Sequence, residues 1–307
     1  MSKDMLIAVG AGVTSGLASL AVLSGLPGAL LAVYIAPLPL LLVGLDQGIK
    51  AGTIAGASGI VTSTIAGNLL SGGLFTIIHA LPSWIIVKQG LSKYVAPDIE
   101  KEVWYPAGSI LCILSLLSAV TLILATVWFQ GEVGGLQGIM RSYLDQVFIY
   151  WMPMDEAIRG DLVQLMIPLF PGYIGTSWII MIVFNAYIAF AILTRAKRVE
   201  RSKTGLANLV LPDWMSWLIV ISASITLLGQ NKLEFFSHNL TLILSVPFFF
   251  LGLAVLHKLA GYVTFPRVLL LSFYLALILS GWVAVVITFT GIIEQWFGLR
   301  RYFKNYS

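Results

Sequence analysis

Runs of about 20 apolar residues recur along the whole chain, and this pattern constrains the fold more than any single motif. Such a run is long enough for an α-helix to cross a bilayer. Charged residues make up only 10% of the sequence, against about 25% in a soluble domain. Because alternation with a period of two residues is nearly absent, helices rather than a β-barrel are favoured. The sequence predicts an all-α membrane protein, a polytopic bundle of about eight or nine transmembrane helices.

Nine apolar runs are candidate spans, with breaks at Pro27-Gly28 and at Asp46-Gln47-Gly48. They cover residues 5–26, 28–45, 49–71, 73–92, 105–129, 166–194, 214–230, 238–257 and 266–292. We treat residues 1–307 as a single transmembrane domain. It has N-terminal helices at 5–129, an extracytoplasmic insert at 130–165 and C-terminal helices at 166–298.

The placement of lysine and arginine predicts the topology, because cytoplasmic loops carry an excess of both. The most basic loop contains Arg195, Lys197, Arg198, Arg201 and Lys203. Counting spans back from it also places Lys3, Lys88, Lys93 and Lys101 inside. Counting forward places the basic C-terminus outside, unless one late span does not cross or the last run folds back at Ser280-Gly281. We expect a cytoplasmic C-terminus and a bacterial cytoplasmic membrane location.

The insert contains an amphipathic segment at 136–151. Its apolar side chains recur at helical spacing: Leu136, Ile139, Met140, Tyr143, Leu144, Val147, Phe148 and Trp151. The pattern predicts a helix that lies on lipid or caps the bundle. The alternative is a lid over a binding cavity.

Two sets of small residues recur at every fourth position and predict close helix packing. The first comprises Gly44, Gly48, Gly52 and Gly56, and the second comprises Ala8, Gly12 and Gly16. Small side chains let another backbone approach, either within this chain or in a partner subunit. Spacing alone leaves both alternatives open.

A few polar residues lie inside the predicted spans, where they cost free energy and so point to a cavity. We single out Asn68, His79 and Asn185, together with the neighbouring Trp84 and Tyr187, as candidate ligand contacts. For each asparagine the competing interpretation is an interhelical hydrogen bond. His79 precedes Pro82, which would free a backbone carbonyl within a span.

Several chemistries have no matching motif. The sequence contains no phosphate-binding loop and no zinc-protease motif, and its single cysteine, Cys112, cannot form a disulfide within one chain. We therefore predict no catalytic residues, no metal site and no cofactor. The lysines and arginines lie beside helix ends, which argues against nucleic-acid binding.

Short motifs along most of the chain carry a family resemblance. They are Pro37-Leu38-Pro39, Leu81-Pro82-Ser83-Trp84, Leu211-Pro212-Asp213-Trp214, Asn239, Gly252 to Val255, and Gly291 to Phe297 before Arg300-Arg301. With these motifs the chain resembles the YybS-like predicted membrane proteins of bacteria.

The first four predicted helices are also similar to the S components of energy-coupling-factor vitamin transporters. The shared pattern is small residues in the first helix, prolines in the second and spaced glycines in the third. The resemblance implies a bundle without its own ATPase that captures a small molecule and docks on a transmembrane coupling subunit driven by ATPases. It further implies that Ala8, Gly12 and Gly16 form the docking surface. The alternative hypothesis is a membrane scaffold or assembly factor that acts through protein contacts.

Overall fold

The computed structural model describes residues 2–24, 28–96, 101–152, 154–199 and 206–306. Pro27, Arg201 and Lys203 lie outside these residues, as do the side chains of Lys101 and Trp151.

The described chain is mainly helical. Its helices are α1 (Lys3–Leu20), α2 (Ala29–Ile35), α3 (Pro37–Gln47), α4 (Ile49–Ala66), α5 (Leu69–Phe75), α6 (Leu81–Gly90), α7 (Ala107–Trp128), α8 (Gly135–Trp151), α9 (Glu156–Met166), α10 (Phe170–Arg195), α11 (Trp214–Leu228), α12 (Lys232–Ala260), α13 (Pro266–Leu279) and α14 (Gly281–Phe297). A hairpin of strands β1 (Lys93–Ala96) and β2 (Lys101–Trp104) connects α6 to α7.

Six helical segments in the described residues are long and apolar enough to cross a membrane. They are Lys3–Leu23, Ala29–Gln47, Leu69–Gly90, Ala107–Gly131, Glu156–Arg195 and Lys232–Ala260. A seventh arises if α13 and α14, which are bent by 119° at their junction, count as one span. The predicted number of eight or nine is not confirmed, because glycine, serine and threonine lower the hydropathy of α4 and because α11 has only 15 residues. The bend itself matches one alternative for the last apolar run, a fold-back at Ser280.

The chain divides into two compact units, which we describe separately. Unit 1 comprises Met1–Ile110 and Ile180–Lys203, and unit 2 comprises Leu111–Ile179 and Thr204–Ser307. Helices α7 and α10 contribute residues to both. The assignment of residues 1–307 to a single domain stays a prediction.

In unit 1, α1 and α4 run parallel in close contact. Gly12 faces Ala55 and Gly59, and Gly16 faces Gly59 and Ser63, so the contacts advance in the same direction along both helices. A side chain at either glycine would occupy space that α4 already fills.

The four glycines from Gly44 to Gly56 are divided between two helices and the turn that joins them. Gly44 belongs to α3, whereas Gly48 connects α3 to α4 with a φ of +92°, and Gly52 and Gly56 belong to α4. A Cβ atom at Gly52 would lie 3.3 Å from the Cα atom of Gly44. Two of the glycines therefore face each other across a helical hairpin, and Gly48 provides the positive φ of its turn.

In unit 2, α8 forms where the amphipathic segment is predicted, and its apolar face packs on α9. Leu144 and Phe148 of α8 form a buried cluster with Val163 and Ile167. The pair is also linked by an ion pair of 3.6 Å between Arg159 and Asp145. The location of this insert on the extracytoplasmic side stays a prediction.

The end of unit 2 is fixed by a buried carboxylate. Glu294 accepts a hydrogen bond of 2.7 Å from Arg300, which also donates to the carbonyl oxygen of Ala207 at 2.7 Å. Ala207 follows Lys203 of the basic loop by four positions. The cytoplasmic location of the C-terminus stays a prediction.

Candidate functional site

The second candidate membrane-crossing segment of unit 1 is interrupted in its hydrogen bonding at Ala36, where α2 ends and the proline-containing α3 begins, although the backbone angles of Ala36 stay helical. Side chains from other helices donate hydrogen bonds to carbonyl oxygens at this break. The hydroxyl of Ser15 donates to Ala36 at 2.6 Å, and the Asn185 amide donates to Tyr34 at 2.7 Å. Such bonds are what a broken helix needs where no water can reach its backbone.

The two polar atoms of the Asn185 side chain differ: the nitrogen makes all its hydrogen bonds, and the oxygen makes none. Its Nδ2 donates to the carbonyl oxygens of Tyr34 and Met181, which uses both amide hydrogens. Its Oδ1 has no hydrogen-bond partner within the described residues and cannot bond to water instead, because it is buried in a residue that is only 2% exposed. Asn185 therefore makes the interhelical bond and also presents a free acceptor.

His79 lies in a π-helical turn, Thr76–Ala80, directly before α6. Pro82 cannot donate a backbone hydrogen bond, and a π-turn is one way in which a helix adjusts to such a loss. The His79 ring is 3% exposed and lies 5.6 Å from the Phe75 ring, between centroids. Its Nδ1, like the Ser83 hydroxyl one turn later, has no hydrogen-bond partner in the described part of the chain. Most buried polar atoms in proteins have a hydrogen-bond partner, so these two atoms are unusual.

The other predicted ligand contacts lie nearer the surface. Trp84 is partly buried, and its Nε1 donates to the Thr53 hydroxyl at 3.1 Å. Tyr187 is 70% exposed. Asn68 was expected within a span, but it is the exposed N-cap of α5 and accepts a hydrogen bond of 2.9 Å from the Ser71 amide. The structure therefore buries His79 and Asn185 in unit 1 and does not gather all five residues around an interior cavity.

The predicted docking residues Ala8, Gly12 and Gly16 all face the interior of unit 1. Ala8 is 0% exposed, and both glycines contact α4. These contacts correspond to the internal-packing alternative. Docking of a partner on the same residues stays a prediction.

Asn239, which is part of the family resemblance but was not among the predicted ligand contacts, bridges a second proline-containing interruption in unit 2. Its Oδ1 accepts from the Gly172 amide at 2.6 Å, and its Nδ2 donates to the carbonyls of Pro168 and Phe235 at 2.9 and 2.7 Å. An α-helix would join the Gly172 amide directly to the Pro168 carbonyl. The asparagine amide takes the place of that bond. Pro168 and Pro171 were the available signal, since both interrupt an apolar run.

The described residues hold no cluster of three or more histidine, cysteine, aspartate or glutamate side chains that could bind a metal ion. An apolar groove of about 320 Å³ lies in unit 2 between α11 and the start of α12, with Ile221, Ile225 and Leu233 in its walls. The groove contains almost no polar surface, so it has the character of a lipid-facing surface rather than of a polar ligand site.

These features define the class of the protein: a polytopic helical membrane protein that contacts the lipid bilayer. A family model described as a predicted membrane protein (DUF2232) matches residues 13–294, so the chain belongs to this family. No curated protein and no solved structure matches the chain significantly. The YybS-like and S-component resemblances stay predictions.

Proposed function

We propose that the chain is a small-molecule transporter subunit of the S-component type, without ATPase or other catalytic activity of its own. It would reside in the bacterial cytoplasmic membrane and act with a transmembrane coupling subunit. The observation that supports a binding role is the pair of unpartnered buried atoms in unit 1, Asn185 Oδ1 and His79 Nδ1. Both residues lie beside interrupted helices, and broken helices form the substrate sites of many secondary transporters.

The chemistry of these atoms restricts the ligand. Asn185 Oδ1 is an acceptor only, and a histidine ring nitrogen accepts or donates according to its tautomer. A ligand with at least one hydrogen-bond donor would satisfy Asn185, and the remaining buried wall of unit 1 would favour an apolar body. A small vitamin-like molecule meets both conditions.

The test uses His79→Phe, a substitution that keeps an aromatic ring against Phe75 and removes both ring nitrogens. If His79 is only structural, the substitution leaves stability unchanged or raises it, because it removes a buried unpaired polar atom. If His79 contacts a ligand, the metabolite that copurifies with the wild-type protein is lost while the fold is retained. Tyr150→Phe is the control, because Tyr150 lies in unit 2, is 80% exposed and is not a candidate ligand contact.

The assay is mass spectrometry of small molecules and subunits that copurify with the full chain at native expression level. Recovery of the same metabolites and partners with wild type and His79→Phe would refute a ligand role for His79. Recovery of protein partners without any small molecule, from wild type as well, would favour the scaffold hypothesis instead.

A further inference from the structure

One end of unit 1 carries nearly all of its described charge. Asp46 at the end of α3 forms a bidentate ion pair with Arg198 just beyond α10, with both N to O distances at 2.6 Å. The pair raises the pKa of Arg198, first through the hydrogen bond to Asp46, and Asp4 at the start of α1 contributes as well. Gly90 at the end of α6 faces Leu45 and Phe190. The ends of α3, α6 and α10 and the start of α1 therefore meet at one end.

This end is basic and solvent-accessible. Besides Arg198 it presents six exposed basic side chains: Lys3, Lys50, Lys88, Lys93, Arg195 and Lys197. None of the six forms an ion pair among the described residues. Between Lys50 and Lys88 the sequence contains no charged residue, so the opposite end of α4 and the start of α5 are uncharged. The charge is therefore segregated to one end rather than spread over the unit.

The same imbalance distinguishes the two units. By sequence, unit 1 contains ten basic and six acidic residues, whereas unit 2 contains eight of each. The whole net charge of +4 thus belongs to unit 1.

Aromatic rings lie among these cations. Lys88 Nζ lies 4.9 Å from the Trp84 ring centroid, and Lys93 Nζ lies 4.8 Å from that of Trp104. Tryptophan beside lysine is typical of the headgroup level of a bilayer. One turn inward, the helix surface becomes apolar, with Leu6 57% and Ile192 45% exposed. Cations, tryptophans and an apolar band therefore follow one another at this end in the order of the headgroup and acyl-chain regions of a phospholipid.

We propose that the basic end of unit 1 is a binding surface for anionic phospholipid headgroups. The cations would contact the phosphates, the tryptophans would lie at the headgroup level, and the apolar band would contact the acyl chains. Near an anionic leaflet each lysine or arginine contributes about 1 kcal/mol, which corresponds to about fivefold in affinity.

The test compares binding of phosphatidylglycerol and phosphatidylcholine to the full chain in detergent, by native mass spectrometry with lipid titration. The test variant is Lys88→Gln, Lys93→Gln and Lys197→Gln combined. We expect wild type to prefer phosphatidylglycerol and the triple variant to bind it on the order of 100-fold more weakly. The control is Arg141→Gln, Lys232→Gln and Arg267→Gln, which removes the same charge from exposed sites in unit 2 and should retain the preference.

Equal affinity of wild type for both lipids would overturn the proposal, and so would equal loss in both triple variants. Inorganic phosphate at the lipid concentration should not displace phosphatidylglycerol, and displacement would assign the surface to free phosphate instead. The wild-type preference should also shrink when salt rises from 0.1 to 1 M, because the Debye length falls from about 10 to about 3 Å. If the wild-type preference for phosphatidylglycerol did not depend on salt, the electrostatic interpretation would be contradicted, and this measurement needs no variant.

Discussion

Gly12 provides a direct test of the contact between α1 and α4, and Gly10 on the same helix provides its control. A Cβ atom at Gly12 would overlap the Ser58 hydroxyl and the Ala55 carbonyl oxygen and would lie 2.9 Å from the Gly59 amide nitrogen. Two of these neighbours are backbone atoms, so the overlap cannot be relieved by a change of rotamer. A Cβ atom at Gly10 would meet nothing within 4 Å.

We expect Gly12→Ala to lower the free energy of unfolding by about 1–3 kcal/mol, the usual cost of overpacking. Gly10→Ala should be neutral or stabilising by up to about 1 kcal/mol, because alanine favours the helix. The two variants should therefore differ by roughly 1–4 kcal/mol although they make the same chemical change two positions apart.

The assay is thermal or denaturant unfolding of both variants in the same detergent, followed by intrinsic tryptophan fluorescence. Equal unfolding midpoints for Gly12→Ala and Gly10→Ala would refute the contact. If Gly12→Ala kept its stability and lost a copurifying subunit, the docking interpretation of the small residues would replace internal packing.

Three further substitutions or labels test other parts of the structure. Asn239→Leu should destabilise unit 2 by about 1–3 kcal/mol in an unfolding assay, because it leaves the Pro168 carbonyl unpaired in an apolar environment; an unchanged midpoint would contradict the bridge. Leu144→Asp should expose residues 136–151 to protease, because it places a charge in a buried cluster whose leucine contributes about 1.5–3 kcal/mol; unchanged cleavage would argue against the packing of α8. Accessibility labels at Lys203 and Asp155 should report opposite sides of the membrane, and labelling from one side would refute the span count.

Features that depend on neighbours along the chain were predictable from the sequence. The amphipathic segment at 136–151 forms α8 almost within the expected limits, Gly135–Trp151, because helical periodicity is a local property. The bend at Ser280 followed from Ser280-Gly281, which interrupts the last apolar run, whereas residues 28–45 were predicted as one continuous span.

Features that depend on distant partners were not predictable. Asn185 and Tyr34 are 151 positions apart, and nothing in the sequence indicates that this asparagine meets that break. The position of Asn68 was predicted wrongly for a local reason. The run 49–71 looked continuous in hydropathy, but Gly67 ends α4 and the asparagine caps the next helix, so a residue expected in the interior lies at the surface.

The segregation of charge in unit 1 would give this unit an electrical polarity along the membrane normal if its predicted spans cross the bilayer. A membrane potential acts on each elementary charge with about 2.3 kcal/mol per 100 mV across the full bilayer. For the four excess positive charges of unit 1, turning this end from the negative to the positive side would cost roughly 9 kcal/mol at 100 mV. If the basic end faces the negative side, as the topology prediction has it, a membrane potential would favour that orientation, and dissipation of the potential would remove this contribution.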